Sequence, residues 1–443
     1  MATNTPEAPG TSSPEAPGQV SAGPANARHT ELDFLRSFVV VGLVLFHSAV
    51  VFAPGASWFV KSPQRSAGFA VFLLWGSLWG MPLLFVVSGM GAWYALRSRS
   101  PGAFIQERVL RLLVPFLTCL AVLVPPMFYA DRLAQPGFHE DYWRFWVGFF
   151  DIRAIASGLL PHNSWTSAAD TFDPAHLWFL YVLLAFSLLL LPLFLFLRRS
   201  RGSHLVGLVS GFAQRRPVTV VAAAALPLIV VEAVFGPDTN TGGWERMTYL
   251  FPFLYGFLLA SDNRLTAALQ RARWPALVCA VASSAALLAW TGDLTASGRD
   301  IPTGWGGLQG LAGWAWLAAI LGFAQQVRAR RPGAQPPANT VRCTSPAPRW
   351  QRAGWYANRA VMPFYLLHEP VIVAAAWFIS RWQAPLAIQY LSLVTVSFAA
   401  TLGVYELLVR RFRLPGLLLG VKPPRACPPV DEAGFRPRSG RRS

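Results

Sequence analysis

Apolar residues in this chain fall into ten blocks, roughly 35–54, 68–96, 109–129, 176–197, 217–235, 246–260, 274–291, 306–326, 360–380 and 385–409. Most are about twenty residues long, the length a helix needs to cross a hydrocarbon core of about 30 Å. The block at 246–260 is short and the one at 68–96 is long. Pro, Gly and clustered Arg mark the breaks between them. The pattern predicts an all-α polytopic membrane protein, a bundle of about ten transmembrane helices.

The first block breaks its own pattern. Leu32 to Pro54 reads LDFLRSFVVVGLVLFHSAVVFAP and carries Asp33, Arg36 and His47 among apolar residues. Positions eleven apart on a helix fall within about 20° of each other. Arg36 and His47 therefore share a stripe three turns long, with Asp33 one turn before Arg36. An ionisable group inside a bilayer costs roughly 2.5–3.5 kcal/mol on insertion scales, so this stripe should face protein or a wet cavity.

Charge distribution sets an orientation. Thirty of the 38 Lys and Arg fall within residues 1–36, 97–111, 198–216, 261–274, 327–359 and 410–443. Alternating spans put all six segments on one side, and the positive-inside rule makes that side cytoplasmic. Both termini are then inside. The net charge of +17 becomes an orientation signal with attraction to anionic membrane lipids, not a nucleic-acid footprint.

Composition agrees: the chain is 53% hydrophobic and 13% charged, against about 25% charged in soluble domains. Residues 1–30, with PEAPG twice, read as a disordered tail, and 416–443 as a disordered basic tail. The membrane domain is expected over 31–415. The N-terminus has no cleavable signal pattern, so the first span would act as the signal. Cys119, Cys279, Cys343 and Cys427 match no zinc or redox spacing, and no disulfide is expected. The use of 36 Arg against only Lys61 and Lys422 suggests a GC-rich bacterial genome and hence the bacterial plasma (inner) membrane.

Several further residues have the chemistry for a site. Span two ends FVVSGMGAW and span three begins ERVLRLLVPF. With Asp33 and Arg36 they bring Ser88, Gly89, Arg108 and Arg111 to one depth at the cytoplasmic mouth. Arg108 and Arg111 lie one turn apart on one face. Guanidinium groups suit phosphates through bidentate contacts, although arginines there also serve as plain flanking charge. Ser88 fits either an acyl-carrying hydroxyl or close packing through SG. His47 has the chemistry of a general base, with a hydrogen bond between helices as the plain alternative. Span nine carries YLLHEP, with His368 and Glu369 as substrate-channel or supporting groups and Pro370 as a kink that frees backbone groups. No third ligand lies nearby in sequence, so no metal is expected.

Other positions stay open. His176 in PAHLWFL fits substrate contact or an interface anchor, and Glu232 an external site or a lone interface acid. Glu406 is placed to pair with Arg410. The external segment from Asp131 to Pro174 holds Trp143, Trp146 and Trp165 among acids, which suits a sugar face or an interfacial aromatic belt.

In order and spacing these motifs resemble the acyltransferase-3 family of membrane O-acyltransferases. LDFLR with a histidine following resembles its first-helix motif, FVVSG its second-helix signature and ERVLRLLVPF its paired-arginine third helix. HLWFL and YLLHEP are similar to other family segments. HLWFLYVLL and WGMPLLFVVSG look most like the branch that includes the periplasmic glucan succinyltransferases. The resemblance implies an acyl-CoA donor in the cytoplasm and, as acceptor, a hydroxyl of an extracytoplasmic carbohydrate or glycan, a cell-envelope modification by O-acetyl or O-succinyl transfer. It makes His47 the catalytic histidine and Arg36 its motif partner, with Arg108 and Arg111 holding the CoA phosphates. The competing class is a multi-span exporter of an anionic metabolite or glycolipid, although no duplicated half is visible in the sequence.

Overall fold

The computed structural model describes residues 25–55, 58–150, 174–236, 244–297, 303–329 and 349–421. Every regular element among them is helical. Helix α1 spans Ala25–Val50, α2 Ala67–Ser98, α3 Pro101–Leu133 and the short α4 Tyr142–Phe149. A 3-10 turn at Ala175–Leu177 leads into α5 (Trp178–Leu189), followed by α6 (Leu191–Leu197) and α7 (Ser200–Arg215). Then come α8 (Pro217–Phe235), α9 (Leu250–Ser261), α10 (Asn263–Ser297), α11 (Thr303–Ala329), α12 (Arg349–Ile379), α13 (Leu386–Val409) and α14 (Arg413–Leu418).

All ten apolar blocks contain helix, and among the described residues seven helices are long and apolar enough to cross a membrane: α2, α3, α8, α10, α11, α12 and α13. Residues 175–197 add an eighth if α5 and α6 form one span bent by 49°. Pro192 explains the bend, because it withholds the N–H that would bond the Leu188 carbonyl. The other two blocks are not among these candidates: α1 has 26 residues, of which Leu35–Val50 is the described apolar part, and α9 has twelve. Seven or eight of the expected ten or so spans are thus candidates among the described residues.

The ends also differ from expectation. Helix α1 begins at Ala25, right after Pro24, inside the stretch expected to be tail. No helix breaker lies between Pro24 and the first apolar block. At the other end α14 and Gly420 pack back, with Gly420 against Pro115 and Met362, so packed chain runs to Val421. Residues 1–24, 422–443 and 151–173, with Trp165, lie outside the described residues.

Two features position the interior. Helix α1 packs between α2 and α12, which turns its polar stripe inward. Helices α2 and α9 cross at backbone distance. A Cβ added at Gly89 would overlap the Phe253 carbonyl, and one at Gly256 would overlap the Val86 carbonyl. The SG of FVVSG is therefore part of a helix crossing built on small residues, with Ser88 buried beside it.

Candidate functional site

His47, one turn from the end of α1, points into the bundle, with its side chain 16% exposed. Its Nδ1 lies 3.1 Å from Glu369 Oε2 on α12. The same oxygen lies 3.3 Å from His176 Nδ1, in the 3-10 turn before α5. His368 completes the group, with its ring centroid 5.0 Å from that of His47 and 5.4 Å from that of His176. Trp58 closes one side, edge-on to His47 at 5.2 Å. Three imidazoles and one carboxyl thus converge from three parts of the chain.

Backbone chemistry explains how they are held. Pro370 has no N–H, so the Leu366 carbonyl loses its helical donor. His176 Nε2 fills that place at 3.1 Å. His368 Nδ1 donates to the Tyr365 carbonyl at 2.7 Å. The Tyr365 hydroxyl in turn donates to the carbonyl of His176. Ala175 takes a left-handed conformation, φ +49°, which costs of order 1–3 kcal/mol for a residue with a Cβ. The fixed points on His176 hold that turn in place.

The atoms facing the centre are less settled. His47 Nδ1, His176 Nδ1, His368 Nε2 and Glu369 Oε2 are buried without an aligned hydrogen bond. The 3.1 and 3.3 Å contacts are close in distance but not in direction. Catalytic hydrogen bonds are often misaligned until substrate binds. His47, His368 and Glu369 each offer a ligand atom, and these lie within 4.8 Å of one another. That grouping could hold a cation, and it shows the converging third group that the sequence near His368 does not reveal.

A second group lies one path-length away. Arg36 sits about 16 Å from His47 along α1. Gly91 of α2 makes room for it, since a Cβ there would stand 2.9 Å from Arg36 Nη2. Arg36, Arg99 and Arg111 are all within electrostatic range of Arg108. Arginines of α1 and α3 thus lie near one another, and the group includes Arg99, which reads from the sequence as plain flanking charge. Glu107 pairs with Arg99 and lies 3.6 Å from Arg111.

Residues Val109–Leu113 form a π turn. It sits just before Pro115, which cannot donate to the Arg111 carbonyl. Arg108 and Arg111 differ in exposure. Arg108 is half-buried, with its guanidinium 5.0 Å from the Phe104 ring. Arg111 is exposed and, with Glu107, Gly420 and Val421, lines an open cavity of about 290 Å³.

The remaining candidates fall as follows. The side chain of Asp33 lies outside the described residues. Glu232 is buried on α8, close to Gly236. Glu406 pairs with Arg410 at 2.7 and 2.8 Å, as expected, and also accepts from the Tyr356 hydroxyl at 2.6 Å. Lys61, in the loop after α1, donates to the Val50 and Ala53 carbonyls at 2.5 and 2.6 Å and caps the helix that carries His47. Burial, and then the nearby Arg65, lower the Lys61 ammonium to about 8.

A family model described as an acyltransferase domain matches residues 29–406. No curated protein matches the chain, and no solved structure does.

Proposed function

Because the chain belongs to the acyltransferase-3 family, we propose that it moves an acyl group from cytoplasmic acyl-CoA to a hydroxyl of an extracytoplasmic carbohydrate or glycan. The observation that carries this reading is the layout of α1. One stripe holds Arg36 within an arginine group and, about 16 Å away, His47 within a buried cluster of histidines and Glu369. A long donor, anchored by phosphates at one end and reacting at the other, suits that separation. The charge bias supports an orientation with the arginines on the cytoplasmic side, and the bacterial inner membrane is the setting of this reading.

His47 acts as the general base. Glu369 holds its Nδ1–H, which leaves Nε2 free to take the proton of the acceptor hydroxyl. The hydroxyl oxygen attacks the thioester carbonyl, and a C–O bond forms as the C–S bond breaks. The CoA thiolate leaves and recovers the proton from His47. Arg36 offsets charge on the thioester oxygen or holds the donor. Arg108 and Arg111 bind CoA phosphates, and Ser88 belongs to the wall of the donor path. His368 Nε2, which lacks an aligned partner, accepts a hydrogen bond from the acceptor. The acyl group is acetyl or succinyl. No step requires a metal.

The test is label transfer. Membranes containing the protein, given acyl-labelled CoA and a surface-glycan extract, should yield labelled glycan, with or without a strong chelator. Solute uptake without labelled glycan would favour an exporter, and loss of transfer on chelation would put a metal in the histidine cluster. Replacing Arg108 with Gln should raise KM for acyl-CoA about tenfold or more, the value of one charge-assisted contact, with little change in kcat. The exposed Arg97 serves as the control, and its Gln variant should keep the wild-type KM.

A further inference from the structure

We propose that His176 is a positioning residue for the transfer reaction, set in its tautomer by the carbonyl that Pro370 leaves open and holding Glu369 against His47. The proposal rests on the reading of His47 as the base and adds a residue to it.

The Leu366 carbonyl can only accept, so His176 Nε2 carries the hydrogen in their 3.1 Å contact. In a neutral ring that leaves a lone pair on Nδ1, the atom 3.3 Å from Glu369 Oε2. A carboxylate and a lone pair repel, so a hydrogen lies between them, on the carboxyl or on the ring. His176 thereby fixes which oxygen of Glu369 is engaged and where it sits. That oxygen is also the one 3.1 Å from His47 Nδ1. The chain of contacts runs from Pro370 through the Leu366 carbonyl, His176 and Glu369 to His47, and it crosses three elements of the fold.

Two further observations support a built arrangement over incidental packing. Ala175, next to His176, is held in a left-handed conformation. The His176 backbone is tied as well, since its carbonyl accepts from the Tyr365 hydroxyl. Both ends of the residue are thus fixed to α12, and Nδ1 is the atom left facing the site, 6% of the residue being exposed.

Amide replacements separate the two ring nitrogens. The amide nitrogen of Asn stands where Nδ1 stands, and that of Gln reaches where Nε2 stands. His176→Asn keeps a donor toward Glu369, and His176→Gln keeps only the Leu366 contact. In the label-transfer assay His176→Gln should lose about 10–100-fold in kcat, the range typical of outer partners that orient a functional histidine. His176→Asn, which gives up the Leu366 contact but keeps a group toward Glu369, should lose clearly less than His176→Gln, and KM for acyl-CoA should not move in either. Pro370→Ala returns an N–H to the Leu366 carbonyl and frees His176 to turn, so kcat should fall although the helix gains a hydrogen bond.

A Gln variant at least as active as the Asn variant, or Pro370→Ala at the wild-type kcat, would overturn the proposal. If neither His176 variant reaches the membrane, the Pro370→Ala result decides alone. If the wild-type protein transfers no label, the base assignment fails and this proposal fails with it.

Discussion

Replacing His47 with alanine is expected to stop acyl transfer while leaving the amount of protein in the membrane unchanged. A positioned general base contributes about 10²–10⁴-fold, and neither of the other histidines occupies the place of His47 on α1. His368 Nδ1 is committed to the Tyr365 carbonyl, and His176 Nε2 to that of Leu366. The rate should fall about 10²–10⁴-fold. Binding of acyl-CoA should survive, because the arginine group is about 16 Å away along α1. The measurement is label transfer at saturating donor, alongside quantitation of the protein and equilibrium binding of CoA. Normal transfer by the variant would end the role assigned to His47. Loss of both transfer and CoA binding would mean that the bundle had collapsed, and His47→Gln, closer in volume, then provides the cleaner comparison.

The second large effect is expected at Glu369. Changing it to Gln keeps size and shape, so the buried site should stay filled. The protein should keep its thermal transition to within a few degrees, since the amide matches the carboxyl in volume and can still hydrogen-bond. Catalysis should suffer far more. An amide turned to donate toward His47 Nδ1 forces the ring proton onto Nε2, the atom that must be free to take the hydroxyl proton. An orienting carboxylate changed to its amide in a histidine-based catalytic site can cost about 10⁴-fold through the wrong tautomer. A fall in kcat of about 10²–10⁴-fold is therefore expected at unchanged donor KM. Wild-type kcat in Glu369→Gln would show that Glu369 does not orient His47.

The fold was legible because twenty apolar residues in a row is a signal carried by sequence length alone. The block at 246–260 looks like a span in a hydropathy reading, yet its helix, Leu250–Ser261, has only twelve residues. The inward turn of Arg36 and His47 was legible from helical period and the cost of burying charge. The π turn was not, because nothing local in VLRLL announces it apart from Pro115 two residues later. His176 was visible as a residue but not as a partner of Glu369, since 193 positions separate them and only the packing of the turn on α12 joins them. One local clue was available: Pro370 leaves the Leu366 carbonyl in need of a donor, and buried carbonyls seldom go without one.

The crossing of α2 and α9 bears on how the molecule moves. With Gly89 against the Phe253 carbonyl and Gly256 against the Val86 carbonyl, neither helix can slide or roll without driving backbone into backbone. The pair is a stator. Any opening that admits a donor from one side and an acceptor from the other must be taken up elsewhere. The 49° joint between α5 and α6 and the π turns at Val109–Leu113 and Tyr405–Val409 are where helical bonding is already interrupted or widened. His47 rides on α1 against α2 of this pair, while the arginines of α3 border a joint.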